Sequence, residues 1–334
     1  MPDLTKRYSI SFIDDFVDCS YRTFLTRFAG IYSDTGDIPR VYGSGCHRGL
    51  ARINKAMHDK RIACKTCKFN CKMDTVAKVG AMKRTIEECR IKQILMEEFL
   101  AEFDEEFEEL ALRKYVGKKT KEEVQAELLG YKSTAYNSMC SALFEKQPVG
   151  DVLMTEQCIT GKLGGFDILG ILDLVLGIKA RDESAKSLVL DYKTAASAPT
   201  SAFPLRQLAM YIHMLEGMSL PVNGVGALYL LKKDAPKKPR KGSKPFKQTE
   251  LLFMNLDAEN AAGRKVNRDK YNSTIKLIAE DIDMIHGNIS NGCFIRNRRS
   301  MFCPCDAAEY CENTAKLDKH MSEKGPPKVK AEVE

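Results

Sequence analysis

The chain has 334 residues, 44% of them hydrophobic and 29% charged, with a formal net charge of +7. This suits one large or two modest globular domains and excludes fibrous and low-complexity classes. No apolar run nears the roughly 20 residues that span a bilayer, and the opening MPDLTKRYSI has an acid and no apolar core, so no secretory signal and a cytoplasmic or nucleoid setting are expected.

Ser11 is placed to cap a first helix, with Asp14 three residues on. Phe12, Phe16, Phe24, Leu25 and Phe28 then recur at helical spacing until Gly30. From about Leu50 to Phe144 the pattern predicts mostly helix. Ile91, Leu95, Phe99, Phe103 and Phe107 recur every four residues, and the acids between Glu97 and Glu109 form the solvated face of one long amphipathic helix. After Pro148 the period shortens. Val152–Thr160, Phe166–Gly177 and Ser187–Lys193 read as strands, Ala202–Glu216 as a helix and Val225–Leu231 as a further strand. That order predicts a mixed α/β sheet. Lys232 to Gln248 is a polar, basic loop, Tyr271–Ile289 a helix, and residues 316–334 a disordered tail.

Two of the strands carry charge where it is costly to bury. In the run from Leu188 to Lys193, alternation sends Leu188, Leu190 and Tyr192 to one face and Val189, Asp191 and Lys193 to the other. The preceding strand holds one carboxylate, Asp173, in an otherwise apolar run. If the two strands pair as a hairpin, with the turn near Arg181 to Ser187, the acids converge. Such a pair suits Mg²⁺ or Mn²⁺, and a lysine beside it can orient water or neutralise charge developing on a phosphate. Spacing alone equally fits an Asp191–Lys193 ion pair at a strand end.

The neighbouring residues favour the first reading. Gly170-x-x-Asp173, Asp191-Tyr192-Lys193-Thr194 and Gln207-x-x-x-Tyr211 occur in that order, preceded by Gly45–Cys46–His47–Arg48–Gly49–Leu50. Together they resemble the RecB-type nuclease branch of the PD-(D/E)XK superfamily, over Ser9 to Cys311. The resemblance implies an α/β fold, a small mixed β-sheet flanked by helices. It would be one domain over 1–315, with a helical insertion at about 50–148 and a cysteine clamp at 293–311. It also implies His47, Asp173, Asp191 and the backbone carbonyl of Tyr192 as ligands of Mg²⁺ or Mn²⁺. Lys193 would assist the attacking water, Gln207 and Tyr211 would line the DNA side, and Glu156 would stand where related enzymes often carry a glutamate. The implied activity is hydrolysis of DNA phosphodiesters, as an exonuclease on single-stranded or resected ends, in recombination, repair or processing and with a helicase or recombination partner. The rival class is a catalytically silent DNA-binding or scaffolding module, against which the intact Asp173, Asp191 and Lys193 argue.

The 12 cysteines of a cytoplasmic chain point to metal or burial before disulfides. Cys19, Cys303, Cys305 and Cys311 resemble the four ligands of the [4Fe–4S] subset of these nucleases, which includes the AddB subunit and CRISPR-associated spacer-processing nucleases. Zinc is the alternative occupant of the same thiolates. The spacing Cys303-x-Cys305 is one residue shorter than that subset's usual pair, so Cys293 competes with Cys303 for the fourth place. Cys64, Cys67 and Cys71 among lysines form a separate group, a zinc site or an inert helical segment. The basic residues of 232–247, with Arg296, Arg298 and Arg299, suit sequence-independent contact with DNA phosphates.

Overall fold

The structure is a computed structural model. It describes residues 7–31, 35–36, 38–58, 114–115, 120–148, 150–179, 185–195, 203–232, 247–300, 303, 305 and 307–324. The expected long helix over Ile91–Phe107, the group Cys64, Cys67 and Cys71, and the middle of the basic loop lie outside the described residues.

In chain order, β1 (Tyr8–Ser9) leads into α1 (Ile10–Thr23), which tightens into a π-helical turn over Phe24–Phe28. β2 (Thr35–Gly36), α2 (Ile38–His58), β3 (Lys114–Tyr115) and α3 (Lys121–Ser141) follow, and α3 also ends in a π turn, Ala142–Lys146. Next come β4 (Asp151–Leu163), β5 (Phe166–Lys179), β6 (Ala185–Ala195), α4 (Leu205–Gly217), β7 (Val222–Leu231), β8 (Thr249–Asn255), α5 (Val266–Ser290), α6 (Ala308–Glu312) and α7 (Thr314–Lys324). The expected order of three strands, helix and strand is present. β1 and β8 are additions to it.

Six strands form one mixed sheet. β4 and β5 are a hairpin closed by Gly164 and Gly165, both at positive φ, which the tight two-residue turn requires. β5 and β6 pair antiparallel, as the hairpin reading expected, and β6 and β7 pair parallel across the α4 crossover. β5 has an interrupted edge. β4 pairs with it between Phe166 and Gly177 on one side, whereas on the other β1 pairs at Ile168 and Leu169 and β6 only from Leu174 onward. Residues 170–173 lie in the opening between β1 and β6.

The sheet is covered on both faces. One core joins Leu172, Val175, Val189 and Val225 to Leu208 and Leu215 of α4 and to Ile278, Ile282 and Ile285 of α5. The other joins Leu174, Leu188, Leu190, Tyr192 and Leu228 to Leu50 and Ile53 of α2 and Met139 of α3. The alternation read from Leu188 to Lys193 therefore holds, with each fully buried aliphatic side chain contributing about 1.5–3 kcal/mol.

Two local expectations are corrected. The helix cap is Ser9, whose Oγ accepts from Phe12 N at 3.2 Å, and not Ser11, because the chain turns straight from β1 into α1. The tail expected from 316 is helical to Lys324, since Leu317 packs with Leu25 and Ala29 and the His320 ring meets the Ala29 carbonyl at 3.0 Å.

Candidate metal centre

The β5–β6 ladder runs through Leu174 opposite Leu190, and the next residue on each strand is an acid. There the strands part, and the Asp173 side chain takes over: its Oδ2 accepts from Tyr192 N at 2.6 Å. Its Oδ1 stands 3.2 Å from His47 Nδ1, which α2 delivers from the second face, and Glu156 Oε1 is 3.9 Å from the same nitrogen. One ligand atom each from His47, Glu156 and Asp173 lies within 4.8 Å of the other two, an arrangement that fits a metal ion.

Glu156 reaches this point through an unusual backbone. The flanking pairs Thr155–Leu174 and Gln157–Leu172 leave it opposite Asp173, and its φ is 44°. A non-glycine residue in the left-handed region costs about 1–2 kcal/mol, and such strain gathers at functional sites.

On the neighbouring strand, Lys193 Nζ is 2.9 Å from Asp191 Oδ2, donates to Asp191 Oδ1 at 3.2 Å and donates to Gln207 Oε1 at 2.5 Å. Gln207 Nε2 in turn donates to the Tyr211 hydroxyl at 2.8 Å. Asp191 is 1% exposed, yet its Oδ2 accepts no hydrogen bond. The cation beside that oxygen is the Lys193 ammonium, and such an oxygen suits a metal ion as well. Gly170 explains how Tyr211 comes so close: a Cβ there would lie 2.7 Å from the Tyr211 ring and 2.7 Å from Met214 Cε. The bare backbone lets α4 settle over the opening.

The electrostatics follow from depth. Burial, then the charge of Asp173, push the Glu156 carboxyl up to about 7, against a smaller pull from His47. Burial raises Asp191 as well, with Lys193 opposing it and Asp173 adding to it. For His47, burial acts downward, but its hydrogen bond to Asp173 and the surrounding acids raise it overall. Carboxyls and an imidazole whose hold on protons is raised in a shared site are groups from which a divalent cation would displace protons.

The structure thus brings His47, Glu156 and Asp173 together, with Asp191, Lys193, Gln207 and Tyr211 as an adjoining hydrogen-bonded chain. Asn54 and Gln147, which touch the Tyr192 hydroxyl, were missed by the sequence reading. The available signal was that Asn54 stands seven residues after His47 on one helix.

A second cluster forms at the far end of α1. Cys19, Cys303, Cys305 and Cys311, with Arg22 and Arg296, line a cavity of about 360 Å³, its mouth included. Helical geometry breaks at Cys19 (φ −155°, ψ 94°), and its Sγ accepts from Arg22 N and Asn297 N, each at 3.4 Å. Burial raises the Cys311 thiol, Arg296 lowers it, and the nearby thiols of Cys305, Cys19 and Cys303 raise it again. Cys293 is not among the lining residues.

A family model described as the PD-(D/E)XK nuclease superfamily matches residues 7–313. No curated protein sequence matches. Among solved structures, the crystal structure of SSO0001 aligns over 55% of this chain and 69% of its own, at 16% identity and a TM-score of 0.26.

Two predictions follow from the geometry. Gly170→Val should lower thermal stability by about 1–3 kcal/mol through overpacking and displace Tyr211; an unchanged melting temperature would refute the close approach. The second concerns pH. A carboxyl whose folded pKa exceeds its unfolded value loses stability as pH rises between the two, here from about 4.5 toward about 7 for Glu156. A raised His47 contributes stability that is present below its ordinary pKa and lost as pH rises through the folded value, so the signs agree. Metal-free protein should therefore lose melting temperature relative to Glu156→Gln as pH rises across this window. The stabilisation by Mn²⁺ should grow over the same window, because binding needs both groups deprotonated. Parallel pH profiles for the two proteins would overturn the assignment.

Proposed function

This chain belongs to the PD-(D/E)XK nuclease superfamily, and from that premise we propose that it is a Mg²⁺- or Mn²⁺-dependent deoxyribonuclease, working as an exonuclease on DNA ends. The observation that carries the reading is the meeting of His47, Glu156 and Asp173 at the β5–β6 parting, beside a buried Asp191 paired with Lys193. The superfamily uses divalent metals, and the mixed oxygen and imidazole donors here fit one.

In this reading His47, Asp173, Asp191 and the Tyr192 carbonyl hold the ion, with Glu156 at its side. When bound, the ion would supply Lewis-acid polarisation of the phosphate and a more acidic water. The chain's own groups do the rest. Asp191 and Gln207 hold the Lys193 ammonium from two sides, so that its charge is fixed toward the phosphate rather than free to rotate. Tyr211 braces Gln207 from the next turn of α4.

The basic stretch supports a DNA substrate by its placement. β7 leaves the sheet beside β6, with Leu230 paired to Thr194 and Lys232 N donating to the Ala195 carbonyl at 2.9 Å. Its foot is fixed, since the Leu231 carbonyl accepts from Tyr42, Ser138 and Gln248. Lysines 232 and 247 thus flank a segment that departs from the Lys193 end of the sheet. Phosphate contacts from it would be salt-sensitive and indifferent to sequence. A helicase or recombination partner, and a role in repair or processing, rest on the family resemblance.

We further propose that Cys19, Cys303, Cys305 and Cys311 hold a [4Fe–4S] cluster. Four thiols around one cavity, two backbone N–H groups directed at Cys19 Sγ, and arginines at the rim all suit an anionic thiolate cluster. The domain would then comprise 1–315, with a helical insertion at about 50–148, of which Leu50 and Ile53 of α2 and Met139 of α3 pack on one sheet face.

The nuclease reading predicts metal-dependent cleavage of single- or double-stranded DNA that falls at least about 100-fold in both Lys193→Ala and Asp191→Ala, with DNA binding retained. Wild type that binds DNA without cutting it would leave the silent scaffold in its place. For the thiols, protein purified without oxygen should absorb near about 400 nm and contain iron and sulfide. Both should be lost in Cys303→Ala and kept in Cys293→Ala, whereas colourless protein with bound zinc would replace the cluster by the other occupant.

A further inference from the structure

Tyr192 separates Asp191 from Lys193 in sequence and points away from them, into the core under α2. It is fully buried, and its hydroxyl accepts from Asn54 Nδ2 at 2.8 Å and donates to Gln147 Oε1 at 3.0 Å. Gln147 Nε2 donates to Asn54 Oδ1 at 3.1 Å, closing a ring in which each side chain gives one hydrogen bond and takes one. Asn54 is 0% exposed, and the surrounding cluster is Leu50, Ile53, Leu190 and their neighbours. A buried polar group costs about 1–3 kcal/mol when unpaired, and apolar replacements of similar shape are often neutral. Packing alone therefore gives no reason for three polar side chains here.

Their connections do. Asn54 lies two turns after His47 on α2, so one helix face presents His47 to Asp173 and Asn54 to Tyr192. Gln147 immediately follows the π turn that ends α3. Tyr192 in turn donates its backbone N–H to Asp173 Oδ2 at 2.6 Å and meets the His47 ring edge-on at 5.9 Å. We propose that Asn54 and Gln147 are positioning residues of the metal centre. They fix the Tyr192 ring from behind, and through it the backbone between Asp191 and Lys193, the Asp173 carboxylate and the His47 ring. This rests on the metal-centre reading above and extends it to residues that touch no ligand or substrate. It also makes the end of α3 a fixed part of the site.

The test is Mn²⁺ binding by calorimetry on metal-free protein, in a Lys193→Ala background so that turnover plays no part. Tyr192→Phe, Asn54→Leu and Gln147→Leu should each raise the Mn²⁺ dissociation constant by about 10–100-fold, as loss of groups that orient metal ligands does. Tyr192→Phe combined with Asn54→Leu should be little worse than either alone, because one ring is broken once. Tyr42→Phe is the control: it removes another buried hydroxyl of the same core, bonded to Ser138 and the Leu231 carbonyl, and should lower the melting temperature without changing Mn²⁺ affinity. If the ring variants fall in melting temperature like Tyr42→Phe and still bind Mn²⁺ as the background does, the positioning role is wrong. Should Asn54→Leu not fold, Tyr192→Phe, which removes a single oxygen, decides the matter. Failure of the metal reading itself looks different: Mn²⁺ would bind the Lys193→Ala background and its Asp173→Asn derivative equally.

Discussion

Past Leu174 and Leu190 the β5–β6 ladder has no further backbone rung, and the Asp173 carboxylate supplies one by accepting the Tyr192 N–H. Everything near the proposed metal depends on that substitution of side chain for main chain. It holds one carboxylate oxygen still and leaves the other facing His47. It also lets two acids sit at the same depth on adjoining strands, an arrangement that is costly for a folded chain without a cation between them. The upward shifts of the Glu156 and Asp191 carboxyls, both caused first by burial and added to by Asp173, point the same way.

Local rules give way around the same point. Glu156 takes a backbone conformation that favours glycine, and Gly170 stands in a strand interior, where glycine weakens a strand but here leaves room for Tyr211 and Met214. Each exception brings a group to the opening: the Glu156 carboxylate from β4, and the Tyr211 ring from α4. Local exceptions gathered at one point are the pattern expected where function opposes stability.

How much of this could be read from the chain alone depends on the kind of signal. Strand order after Pro148 was legible because apolar runs broken by glycine and charge mark strands directly, and the Leu188–Lys193 alternation fixed which side each residue faces. β1 was not legible, being two residues whose pairing exists only because β5 passes beside them. β8 mixes polar and apolar residues directly after a basic stretch, and no element was read there. The helical end at 314–324 escaped because its few apolar residues make sense only against α1. Gln147 carried no pattern, and Asn54 only its spacing of seven residues from His47. They lie 93 residues apart, and in sequence an amide within a helical stretch looks like any solvated residue.

The two centres are joined through α1, yet they bear on different things. β1 borders the opening at Ile168 and Leu169, and α1 runs from it to Cys19. The C-terminal segment grips that far end: Ser20 Oγ accepts from Ile295 N at 2.7 Å, Asp18 Oδ2 accepts from Ser300 Oγ at 2.6 Å, and Phe294 packs among Phe16, Phe24 and Phe28. The segment that leads to three of the four thiols therefore fixes the far end of α1. The proposed metal-ligating side chains stand on α2, β4, β5 and β6, none of which that grip touches in these bonds. The thiol pocket thus bears on α1 and β1, while the β5–β6 parting and the Tyr192 ring bear on the proposed ion site.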